Sequence, residues 1–147
     1  MIIIQENDFM KARTLIRKSI EKQIVFCSDD DDLNRKILEK EKINVLLLNV
    51  KEKKDKIKQR DSGFNHVLAR EAKKKNVEIG INLDEIINSN KKEKTGILAR
   101  IRQNIELCNK YKLNMKFISP SENERDIYDL KALGLVLGMP TWMTKSL

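Results

Sequence analysis

Short apolar runs alternate with amphipathic stretches along the whole chain. Five runs read as buried strands: IIIQ at 2–5, QIVFC at 23–27, INVLLLNV at 43–50, VEIGINL at 77–83 and LNMKFIS at 113–119. The run at 43–50 is apolar at positions of both parities, as a strand of a parallel sheet covered on both faces must be. Between the strands the period lengthens to that of a helix. Residues 7–22 set Phe9, Ala12, Leu15, Ile16 and Ile20 near one face. The aspartates of SDDDD at 28–32 can cap a helix continuing through LNRKILEKEK. A helix is expected over 62–75, a helical turn at DEIIN and a polar loop at 89–94. TGILARIRQNIELCNKYK at 95–112 is strongly amphipathic, and DIYDLKALGLVLGM at 126–139 closes as a helix that Gly138 ends before Pro140. Strands alternating with helices imply an α/β fold with a mainly parallel sheet, in a single domain over 1–147.

Two helices carry the informative side chains. In 62–75, Phe64, Leu68 and Ala72 form the inward stripe. The only histidine, His66, lies nearly opposite with Arg70, and Lys73 is close by. Asp61 or Ser62 is the natural N-cap, and Gly63 lets the backbone approach something closely. The structural reading is a capped helix with an exposed histidine; the functional one is a contact surface for RNA or protein. A histidine acting as a base needs an orienting acid or a nucleophile in reach, and no motif supplies that set. In the later helix Ile97, Ile101, Ile105 and Cys108 turn inward. Arg100 and Arg102 flank that stripe on opposite edges, about 200° apart. Asn104 falls half-buried beside it, where an amide satisfies backbone groups, and Gln103 points outward.

Charge narrows the partner class. Thirty Lys and Arg against 22 Asp and Glu give a net charge of +8. Residues 51–75 hold ten cationic and four acidic side chains, so this window supplies +6 of it. A solvated face and a phosphate-tracking patch built on Lys53, Lys54, Lys56, Lys58 and Arg60 both fit. Cys27 and Cys108 lie far apart without metal-spaced partners, as suits a reducing compartment. The acidic flank of MIIIQENDF does not read as a signal peptide, and no run reaches membrane-spanning length, so a cytoplasmic location is expected. Asp29 to Asp32 follow a strand and could gather magnesium. A receiver-type site would add an aspartate at the end of the third strand, where Asn49 and Val50 stand; a helix cap is the better reading. There is no glycine-rich phosphate loop, GxSxG or HExxH.

DSGFNHVLAR at 61–70, followed by ARIRQN at 99–104, resembles the archaeal and eukaryotic ribonuclease P protein component 3 family. LNRKILEKEKINVLLL at 33–48 and DLKALGLVLGM at 129–139 are similar to that family's asparagine-arginine helix and strand and to its closing helix. The resemblance covers roughly residues 23–139. It implies an incomplete or shortened TIM-like (β/α) barrel with mainly parallel strands, a relative of the PHP-like barrels. It also implies a subunit of the particle that removes the 5′ leader of precursor tRNA, where the RNA does the chemistry with magnesium. This chain itself would then need no cofactor. The partners implied are ribonuclease P RNA, precursor tRNA in the assembly, protein component 2 and other subunits, with no membrane. By position the resemblance carries over Asp61, Ser62, Gly63, Asn65 and His66 from one motif, and Arg100, Arg102, Gln103 and Asn104 from the other. A full barrel takes about 250 residues and eight strands. The family's opening βα units, with their aspartate-leucine-histidine strand, have no counterpart here, so the barrel is expected to be open or completed by a partner.

One alternative belongs to another class: a stand-alone metal-dependent α/β phosphoester hydrolase using Asp29 to Asp32, His66 and magnesium. Related barrel hydrolases surround two or three metals with several histidines, and this chain has one.

Overall fold

The structure is a computed structural model describing residues 1–147. Five strands, β1 (Ile2–Gln5), β2 (Ile24–Cys27), β3 (Val45–Leu48), β4 (Glu78–Asn82) and β5 (Met115–Ile118), form one sheet in sequential order, every neighbouring pair parallel. The helices are α1 (Phe9–Lys18), α2 (Asp31–Lys40), α3 (His66–Lys75), α4 (Leu83–Asn88), α5 (Lys91–Tyr111), α6 (Ile127–Val136) and α7 (Thr141–Lys145). Sequential parallel order is the winding of a (β/α) barrel, whereas a doubly wound sheet reverses its order midway.

The two faces of the sheet pack differently. Ile4, Phe26, Leu46, Leu48, Ile79, Ile81 and Met115 join the helices in the main core of 28 buried residues. The other face carries a small cluster of Val25, Cys27, Val45, Leu47 and Ile118, with Ile3 against it. Gly80 sits on this inner face, where a Cβ would meet Leu47 and Val45 side-chain carbons at 3.1 Å. Residues of β1, β2, β3 and β5 thus form one cluster on this face, and Gln5 beyond β1 and Pro120 beyond β5 line one cavity, as on the inside of a curled sheet.

Several boundaries differ from expectation. Leu15 and Ile20 are exposed, and α1 stops at Lys18, so only Ala12 and Ile16 of that helix are fully buried. The third helix starts at His66, not at 62: Gly63 takes a left-handed φ of +72°, which breaks the helical run, and Asn65 becomes the N-cap. Of the loop expected at 89–94, only Ser89 and Asn90 are non-helical; residues 91–94 form the first turn of α5, capped by Asn90, whose Oδ1 accepts the Glu93 N–H at 2.8 Å. At five residues, α7 is too short to show a period. Gly138 does end α6 in a left-handed turn, φ +104°.

Candidate nucleic-acid interface

The basic loop between β3 and α3 is bound to the rest of the fold at both ends and in its middle. At its start the Val50 and Lys51 N–H groups donate to the two carboxylate oxygens of Glu85 at 2.9 and 3.0 Å. Burial raises the Glu85 carboxyl above its ordinary value despite these bonds. Lys53 turns inward to pair with Asp31. Lys56 and Gln59 exchange backbone hydrogen bonds at 2.8 and 3.2 Å, making a small hairpin.

The far end rests on α5. Arg100, nearly buried, donates from Nε to the Asp61 carbonyl at 3.0 Å and from Nη2 to Asp55 Oδ1 at 2.9 Å. Gln103 Nε2 donates to the Arg60 carbonyl at 3.2 Å and lies 3.5 Å from Ser62 Oγ. Asn104 Nδ2 donates to the Ser62 carbonyl at 3.5 Å. Within the turn, the Asp61 carboxylate accepts the Gly63 N–H and Ser62 Oγ donates to the Phe64 carbonyl. The Asn65 side chain accepts the Leu68 N–H at 3.0 Å and so starts α3. Phe64, Leu68 and Ala72 are buried as the periodicity implied. Gln103, expected to face outward, is instead half-buried under the loop, because the loop folds back over α5.

The residues singled out from the sequence therefore fall into two sets. Ser62, Gly63, Arg100 and Asn104 are buried, and with Asp61, Gln103 and the half-buried Lys53 they build the loop. Lys54, Lys56, Lys58, Arg60, Asn65, His66, Arg70, Lys73 and Arg102 are exposed. Of these, Lys73 has its Nζ on the Lys112 carbonyl at 2.9 Å, closing the C-terminal end of α5. Lys54, Lys56, Lys58 and Arg60 form no ion pair. Sequence reasoning missed a second group: Lys91, Lys92 and Lys94 in the first turns of α5, tied to the loop by the Lys51–Glu93 pair at 3.8 Å. The KKEK run was visible as charge, and only its helical setting was not.

A polar cavity of about 310 Å³ opens at the carboxyl ends of the strands, between Gln5, Asn49, Asn82 and Pro120. Barrel enzymes place their chemistry in this position. Here Asn49, Asn82, Asp84 and Glu85 hold structure. Asn82 Nδ2 donates to Asn49 Oδ1 at 2.8 Å, and Glu85 carries the start of the basic loop. The Asp84 carboxyl is opposed by burial, yet hydrogen bonds from Ser119, Ser121 and Asn123 outweigh it and hold the group below its ordinary value. Burial, with the Asp29 charge beside it, pushes the Cys27 thiol up to about 11, so it is protonated at neutral pH. Asp30 caps α2 through the Asp32 and Leu33 N–H groups. No group of three or more His, Cys, Asp or Glu side chains is placed to hold a metal ion.

Curated relatives match much of this chain. Ribonuclease P protein component 3 of Methanococcus maripaludis is 26% identical over 142 residues, which is 97% of this chain and 57% of that protein. Component 3 of Methanothermobacter thermautotrophicus is 27% identical over 140 residues, 94% of this chain and 54% of that one. The Methanocaldococcus jannaschii protein reaches 32% identity over 90 residues, 59% of this chain and 39% of its own. The chain thus spans about half the length of the curated relatives it matches. No protein-family model matches. Among solved structures, a chain in the cryo-EM structure of archaeal ribonuclease P with mature tRNA superimposes with a TM-score of 0.76 at 24% identity. That superposition takes in 97% of this chain and 62% of the other, and it shows a shared fold. No helix is long and apolar enough to cross a membrane.

Proposed function

We propose that this chain is a component 3-type protein subunit of ribonuclease P that supports the RNA in removing the 5′ leader of precursor tRNA. The observation that carries this reading is the meeting of the two motifs of the resemblance: Arg100, Gln103 and Asn104 of ARIRQN hold the backbone of Arg60, Asp61 and Ser62. The motifs therefore form one device. Its buried half is a brace, and its solvent half offers unpaired cations.

The physical work follows from that division. Four cations share a loop whose backbone is anchored by Glu85, Lys53 and Arg100, which keeps them near one another. Placed against RNA, they neutralise phosphates and release counterions, a term that falls steeply with salt. His66 and Arg70 extend the same surface onto α3, and both are exposed. A flat guanidinium and an imidazole suit stacking and hydrogen bonding to unpaired bases or to a protein neighbour such as component 2. Bond breaking on this reading belongs to the RNA and its magnesium: Asp84 and Glu85 at the barrel mouth are engaged in fold-holding bonds, and His66 stands on the exposed start of α3.

Reconstitution tests the proposal. Leader cleavage of a precursor tRNA is measured with ribonuclease P RNA and the other archaeal protein subunits, with and without this chain. Its addition should raise the cleavage rate at limiting magnesium. An unchanged rate at every magnesium concentration would rule the role out.

A further inference from the structure

The basic stretch 51–75 is divided by α3 between opposite ends of the sheet. Residues 49–65, past the carboxyl end of β3, hold six cations against three acidic side chains. At the amino ends of the strands, residues 72–78 and 109–116 lead from α3 into β4 and from α5 into β5. These two junctions hold six lysines and a single acidic side chain, Glu78, which Lys116 pairs at 3.3 Å. The end away from the loop thus carries the larger excess of positive charge. His66 and Lys75 stand at the two ends of α3, about 14 Å apart along its axis and so beyond the Debye length of about 8 Å at physiological salt. A phosphate held at one end is out of reach of the other.

The amino-end lysines are gathered by the fold. Lys73 Nζ donates to the Lys112 carbonyl at 2.9 Å and ties the ends of α3 and α5 together. The last helix joins them: Trp142 Nε1 donates to Asn109 Oδ1 at 3.1 Å, and Ser146 Oγ donates to Asn114 Oδ1 at 3.2 Å. Lys73, Lys74, Lys75, Lys110, Lys112 and Lys145 are exposed, and none forms an ion pair. Lys73 on the Lys112 carbonyl complements the dipole of α5. Lys74, Lys75 and Lys110 add like charge with no anionic partner in the fold.

The chemistry of this face selects its occupant. Protein interfaces are poor in lysine and centre on apolar, aromatic or arginine anchors. None of the large exposed apolar side chains lies on these junctions or on α7. Tyr111 and Trp142 are half-buried, with Lys110 and Lys112 over their rings. The cations are all lysines, flexible point charges that suit phosphate oxygens rather than the planar fit of a guanidinium to a carboxylate. On the reading that this chain binds ribonuclease P RNA, we infer that the lysine face grips the phosphate backbone of a second RNA segment. The protein then bridges two parts of the RNA from opposite ends of α3.

The test compares three variants of equal charge change: Lys74→Glu with Lys75→Glu and Lys110→Glu at the amino end, Lys54→Glu with Lys56→Glu and Lys58→Glu in the loop, and Lys11→Glu with Lys36→Glu and Arg125→Glu as a control elsewhere. All nine positions are exposed, and circular dichroism checks the fold. Affinity for archaeal ribonuclease P RNA is measured across a salt series, and hydroxyl-radical footprints are taken on the same RNA. The parent should protect two separate segments. The amino-end variant should bind at least tenfold more weakly, with a log–log salt slope shallower by about 2–3, and should lose a different segment from the loop variant. The control should stay within about threefold of the parent. An amino-end variant no weaker than the control, or loss of one and the same segment by both variants, would overturn the second surface. So would an amino-end variant that keeps its RNA affinity and drops a protein subunit from the reconstituted particle. A weakened loop variant beside an unaffected amino-end variant would leave the RNA-binding reading standing without this face, whereas a parent with no salt-dependent RNA affinity would overturn both.

Discussion

Arg100 on α5 reaches across 45 positions to place its Nη2 on Asp55 Oδ1 at 2.9 Å, while its Nε holds the Asp61 carbonyl. The guanidinium side chain is 11% exposed and the aspartate 50%, so one partner is fixed in the fold and the other lies on the surface loop. Gly96, one turn back, leaves it room: a Cβ there would meet Arg100 Nη1 at 2.8 Å. This buried cation thereby joins Glu85, Lys53, Gln103 and Asn104 in setting the course of a loop rich in mutually repelling charges.

Removing that cation should release the loop. Arg100→Ala leaves a carbonyl and a carboxylate unpaired and should cost about 2–3 kcal/mol, read by urea denaturation. Arg102→Ala, at an exposed site, should stay within about 0.5 kcal/mol of the parent. Faster exchange at the amides of 51–65 in Arg100→Ala alone would place the effect in the loop.

The turn before α3 needs glycine. At Gly63 φ is +72°, and a Cβ would meet Lys53 Cε at 3.1 Å and Asp31 Oδ1 at 3.4 Å. Gly63→Ala should destabilise by about 1–3 kcal/mol through the left-handed conformation, with added disturbance of the Lys53–Asp31 pair. Thermal unfolding checks this.

Much of this was legible beforehand, for identifiable reasons. The five strands stood out as short apolar runs between polar or amphipathic segments, and β3 most clearly because it is apolar and buried on both faces. The inward stripe of Ile97, Ile101, Ile105 and Cys108 followed from helical spacing alone, and all four are buried. What escaped depends on contacts between distant segments. Gln103 has an outward angle on its own helix, and only the returning backbone of Arg60 covers it. Glu85 looked like one acidic residue of a short turn, yet it carries two N–H groups 34 and 35 positions away. Leu15 and Ile20 matched the helical period of a buried face, but α1 borders the open edge of the sheet, where nothing in the chain covers them.

Glu85 makes stability depend on pH. Its folded carboxyl titrates above the ordinary 4.5, so the folded chain keeps that proton to higher pH than the unfolded chain does. Stability should therefore fall as pH rises from 4.5 through the raised folded value. Denaturant titrations at several pH values should show this slope in the parent and not in Glu85→Gln. Asp84, held below 3.8, acts in the opposite sense and only at more acid pH.

His66 separates a contact role from a structural one. Exposed at the first position of α3, it takes no part in the Asn65 cap. His66→Ala should leave stability within about 0.5 kcal/mol. In the reconstituted particle it should lower the cleavage rate at limiting magnesium, whereas an unchanged rate would remove His66 from the contact surface.

On the proposed function, the unpaired lysines of the loop grip RNA phosphates. The most direct measurement is the affinity of the chain for archaeal ribonuclease P RNA across a salt series, for the parent and for Lys54→Glu with Lys56→Glu and Lys58→Glu. All three are exposed, and none is in an ion pair, so the fold should survive. The variant should bind at least tenfold more weakly, with a log–log salt slope shallower by about 2–3, one phosphate contact for each lysine lost. Equal affinity and equal slope in the folded variant would contradict it.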